Sequence, residues 1–153
     1  MLRIALLLIL TAFAQSQEKK MTQHAAGPFD VKVTPQQPDN DVAKAANLPR
    51  LTLDKQYHGD LEATAKGEML ASNMGNEPSG GYVALERVTG TLKGKKGSFV
   101  LLHDTTMFRG VPNMNIFVVP DSGTDELKGL SGKLKISIAP GGKHSYEFDY
   151  SFE

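Results

Sequence analysis

The residues in this chain best suited to chemistry are a carboxylate, two histidines and two tyrosines spread over three apolar segments: Glu86 in "YVALERV", His103 in "SFVLLHDT", and His144, Tyr146 and Tyr150 in "HSYEFDYSF". Successive side chains of a strand point to opposite faces. Glu86 therefore shares a face with Tyr82, Ala84 and Val88, against Val83, Leu85 and Arg87. Carried among apolar groups, a carboxylate without a cation must find hydrogen-bond donors or stay protonated, and desolvation would raise its pKa and suit it to acid or base work. By the same alternation His103 shares a face with Phe99 and Leu101, and His144, Tyr146 and Tyr150 share one with Phe148 and Phe152. Together the five could orient the polar end of an apolar ligand or move a proton. Equally, each could be satisfied by a backbone or tyrosine partner as part of the structure.

Other chemistries lack their residues. There is no cysteine, so thiol catalysis and thiolate metal sites are excluded. The histidines fall at 24, 58, 103 and 144 with no His-x-His or His-Glu-x-x-His spacing, which gives no metal pattern. No Gly-x-Ser-x-Gly elbow is present, and no cofactor is expected. Met107 and Met114 would suit an adaptable apolar mouth.

The elements that must position these residues read as strands. From Leu51 onward, β-favouring runs alternate with Gly, Pro, Asn and Ser clusters, and no segment keeps helical apolar spacing. The spacing predicts an all-β domain of seven to eight strands over residues 28–153, with helix limited to a turn or two within 36–48. In "GKLKISI", Gly132, Leu134, Ile136 and Ile138 face inward, opposite Lys133, Lys135 and Ser137. Asp60, Glu62, Thr64, Lys66 and Glu68 share one polar, outward face of what reads as a long strand. "TGTLKGKKGSF" marks a tight hairpin, and "PDSGTDELKGLSG" an ordered connection with Leu127 and Leu130 turned back onto the barrel.

The beginning of the chain carries an address. "MLRIALLLILTAFAQS", residues 1–16, has one basic residue, a short apolar run and small residues at Ala12, Ala14 and Ser16, the layout of a secretory signal peptide. Residues 17–27 read as a flexible linker. The expected location is therefore periplasmic or secreted; the alternative is a chain whose translation begins at Met21. With 17 basic against 17 acidic residues, no clustered charge calls for nucleic acid or an anionic membrane. The apolar leader run is too short for stable membrane insertion. A monomer or homodimer is expected.

The segments "GDLEATAKGEML", "GYVALERVTGTLKGKKGSFVLLH", "VVPDSGTDELKGLSGKLKI" and "HSYEFDYSF" resemble the uncharacterised family of small allene-oxide-cyclase-like barrel proteins, domain of unknown function 3224. The likeness runs from about Phe29 to the end. The leader and the single glycine of "SGTDEL" depart from the common pattern. The resemblance implies an antiparallel up-and-down, lipocalin-like β-barrel with a central cavity, and no activity. Function classes left open are a binding module for a small apolar or amphipathic molecule, an isomerase or cyclase acting on a lipid-like substrate, and a structural or interaction protein with a filled barrel.

Overall fold

A computed structural model of the protein describes residues 21–153. The expected signal peptide lies outside the described residues. Eight strands run antiparallel in chain order and close into one barrel, the first pairing with the last. They are β1 (Gln23–Gln36), β2 (Arg50–Tyr57), β3 (Leu61–Ala71), β4 (Gly80–Leu92), β5 (Lys95–Phe108), β6 (Val111–Val118), β7 (Leu130–Ile138) and β8 (His144–Phe152). The one α-helix among the described residues, α1 (Asp41–Ala46), lies in the β1–β2 connection and opens on Asn40, whose side chain accepts from the Ala43 amide.

Two expectations need correction. The barrel begins at Gln23 rather than at residue 28: residues 23–27, expected as linker, pair with β8 from Gln23↔Tyr150 to Gly27↔Tyr146. Their composition is poor in β formers, and cross-strand pairing decides the outcome instead. The long strand expected to carry Asp60 to Glu68 is β3 of a hairpin, β2–β3, that turns at His58–Asp60 with Gly59 at φ 93°, so Asp60 belongs to the turn. The outward assignment of Glu62, Thr64, Lys66 and Glu68 stands, since all four are exposed.

The β4–β5 turn shows why its residues are needed. Leu92 pairs with Lys95, leaving Lys93 and Gly94 as a two-residue loop with φ of 46° and 84°. Two successive positive φ values match the right-handed twist of a hairpin, and glycine takes the second without steric cost. Beyond the end of β6, the connection to β7 covers the free edge of β5. Thr124 accepts from Ser98 N and Ser122 from Val100 N, at 2.9 and 3.0 Å, so these amides remain paired.

The barrel interior has two halves. One end is filled: Leu61, Val88, Leu92, Phe99, Leu127, Leu130, Phe148 and Tyr150 are all buried, with Phe99 stacked on Phe148 at 5.9 Å. The other end is open. Leu134 is buried, Ile136 is partly buried, and Ile138, although on the same face, is 62% exposed because it stands at the rim. β6 and β7 barely join, sharing the single pair Phe117↔Lys133.

Candidate functional site

Where the filled half meets the open half, four polar side chains meet out of water. Glu86 on β4 is 1% exposed, His103 on β5 2% and Lys55 on β2 5%, and Tyr57, two residues along the same face as Lys55, is fully buried. One carboxylate oxygen, Glu86 Oε1, takes all three contacts: Lys55 Nζ at 2.9 Å, Tyr57 Oη at 3.0 Å and His103 Nε2 at 3.0 Å. With Glu86 ionised, His103 carries its hydrogen on Nε2 and donates it. Lys55 Nζ also lies 5.2 Å from the centre of the Phe29 ring.

The register explains the meeting. Glu86 stands opposite Gly67 of β3 and Lys55 of β2 stands opposite Ala65, two residues along the same inward face, so β3 places only a glycine and an alanine between the two charged side chains. A Cβ at position 67 would come within 2.7 Å of Glu86 Cβ and closer still to the Leu85 carbonyl. The missing side chain lets Lys55 reach across β3 to the carboxylate.

Burial pushes the Glu86 carboxyl upward, but the hydrogen bond from His103 and the charge of Lys55 outweigh it and hold the group below its ordinary range. The expectation of a raised pKa is therefore overturned. It considered desolvation without the cation that the fold supplies. Burial and the neighbouring Glu86 charge push the Tyr57 phenol well above its ordinary value. Tyr57 is thus a neutral donor.

Above this layer lies a cavity of about 410 Å³, within the usual range for small-molecule sites. Leu51, Leu53, Met69, Met107, Met114 and Ile136 contribute to its walls, and Lys55, Asn73, Tyr82, His103, Thr105 and His144 are its polar points. Two buried polar atoms have no hydrogen-bond partner among the described residues: Glu86 Oε2 and Thr105 Oγ1.

The five residues singled out in the sequence separate here. Glu86 and His103 touch each other. His144, half-buried, lines the cavity with its ring 5.1 Å from that of Phe29. Tyr146 does not line it: its hydroxyl accepts from Leu61 N at 2.8 Å and donates to the His58 carbonyl at 3.1 Å, closing the β2–β3 turn. Tyr150 donates to Gln23 Oε1 at 3.1 Å and ties β8 to the start of β1 in the filled half. Face alternation puts all of them inside but says nothing of height along the barrel axis. Lys55, Tyr57 and Thr105 were missed. Lys55 carried a usable signal, since in "LTLDKQY" it shares its face with Leu51, Leu53 and Tyr57, the same criterion that singles out Glu86.

Residues 25–150 match the model of a family described as protein of unknown function (DUF3224). The chain belongs to this family. A similar DUF3224 protein is one of unknown function from Shewanella oneidensis MR-1, whose crystal structure superposes with a TM-score of 0.77 at 42% identity, covering 87% of this chain and 99% of that one. Among the curated proteins nothing matches. DUF3224 membership accords with the barrel and leaves the activity to be argued from the cavity.

Proposed function

We propose that this protein is an exported carrier or sequestering module that binds a small, largely apolar molecule in the open half of its barrel. Export rests on the leader of residues 1–16. Binding rests on one observation above the others: a cavity of about 410 Å³ with predominantly aliphatic and thioether walls and few polar side chains, Lys55, His103 and Thr105 among them. Apolar walls supply affinity by removing ligand surface from water, and a few fixed polar groups set orientation.

A second reading, an isomerase or cyclase acting on a lipid-like substrate, draws on His103 in the cavity wall beside an ionised carboxylate. It ranks below binding because Glu86 Oε1 already accepts three contacts and the carboxyl is held low, which makes Glu86 a weak base.

Ala71, at the rim, lines the cavity. Saturable binding of an environment-sensitive apolar fluorophore is expected for the native chain. It should be lost in Ala71→Phe, which fills the mouth, with the far-ultraviolet circular dichroism unchanged. Equal saturation in the two proteins would place the fluorophore elsewhere and reject the reading.

A further inference from the structure

The charge balance of the cavity floor limits the head group that can rest on it. Glu86 and Lys55 form an ion pair at 2.9 Å with side chains 0% and 5% exposed, and Tyr57 is neutral, so the two formal charges cancel. Lys55 lines the cavity and Glu86 does not, but Lys55 is already paired, so an anionic head would leave one negative charge in excess with only the imidazoles of His103 and His144 near it. A cationic one would stand against Lys55. Either charge, taken out of water into apolar walls without a counterion, is strongly disfavoured.

The unfilled hydrogen-bonding capacity points to a neutral group. Thr105 is 94% buried and lines the cavity beside its cross-strand neighbour Tyr82, whose phenol interacts with its hydroxyl without closing a hydrogen bond of ordinary geometry, so that hydroxyl can still donate and accept. Glu86 Oε2 also has no partner, but Glu86 lies beneath the cavity and does not line it. Lys55 Nζ contacts Glu86 Oε1 at 2.9 Å and Tyr57 Oη at 3.4 Å and lines the same cavity. An ammonium has three hydrogens, so one remains to donate. A ligand group matching this floor must therefore donate and accept while carrying no charge.

Resting on the binding role proposed above, we propose that the ligand is an apolar molecule ending in an uncharged hydroxyl, an aliphatic alcohol or a phenol, whose oxygen accepts from Lys55 and whose hydrogen goes to Thr105. A fatty-acid carboxylate fits the same walls but not this floor.

The test is titration calorimetry of the full chain at neutral pH with three probes of matched chain: 1-decanol, decanoate and 1-methoxydecane, which accepts but cannot donate. The alcohol should bind about tenfold or more tightly than either of the others, since a site built around a hydroxyl rejects analogues that leave its polar groups unpaired. In Thr105→Val, which keeps the shape and removes the hydroxyl, this preference should narrow by several fold. Decanoate binding as tightly as the alcohol would overturn the inference, as would equal binding of the ether, while leaving the lumen as a binding site. An unchanged preference in Thr105→Val would remove Thr105 from the head-group site and overturn it too. Failure of all three to bind would reject the binding role, and this inference with it.

Discussion

Lys55 Nζ and Glu86 Oε1 stand 2.9 Å apart with β3 between their strands, and neither side chain is more than 5% exposed. Removing one partner of such a pair leaves an uncompensated buried charge, whereas removing both leaves none. Lys55→Met alone is expected to destabilise the fold by about 3–5 kcal/mol near neutral pH. Adding Glu86→Gln should restore a large part of the loss. Urea unfolding of the two single variants and the double variant measures this. Strictly additive losses would mean that the pair is not coupled.

Acid should act on the same carboxylate. Glu86 in the folded chain titrates below its ordinary value of 4.5. It therefore contributes stability that is fully present above that value and is lost as pH falls through the lower folded value. The stability difference between the native chain and Glu86→Gln should shrink as pH drops below about 4.5. The carboxylates of Asp39 and Glu68, also held low by Arg50, are exposed and contribute little. A difference that stays constant from neutral pH to below pH 4 would show that folding does not lower the pKa of Glu86.

At the alkaline end the tyrosines act together. The chain has four, and burial pushes all of them, Tyr57, Tyr82, Tyr146 and Tyr150, above their ordinary value of 10.0. Their neutral forms keep full stability below 10.0, and stability falls as pH rises above it because the unfolded chain ionises first. Phenolate absorbance is expected to stay low in the folded chain at pH 10 and to rise together with loss of the barrel. A tyrosine that titrates near 10 while circular dichroism is unchanged would contradict this.

How much of this was legible in the sequence depends on the direction asked about. Period-two alternation assigns faces, and the inward placement of Leu134, Phe148 and Glu86 follows from it. Alternation does not give height along the barrel, which depends on the shear between strands. Tyr150 and His144, three turns of the pleat apart on one strand, thus fall respectively in the filled half and beside the cavity. Nor does it reveal that Gly67 leaves an opening between β2 and β4, since that fact belongs to three strands at once. The pairing of Lys55 with Glu86 needed that opening, and with it went the sign of the Glu86 pKa shift. At the chain's beginning, residues 23–27 lack strand-favouring composition and gain their conformation from β8.

The central claim is that the open half of the lumen binds an apolar molecule whose head rests on the Lys55, His103 and Thr105 floor. Backbone amide chemical shifts recorded while the isotope-labelled chain is titrated with 1-decanol test it most directly. The account predicts saturable shifts at Lys55, His103, Thr105 and Met107, with Leu92 and Leu127 of the filled half unmoved. Shifts confined to the exposed outer residues Val83 and Leu85, or no saturable shift at all, would contradict it.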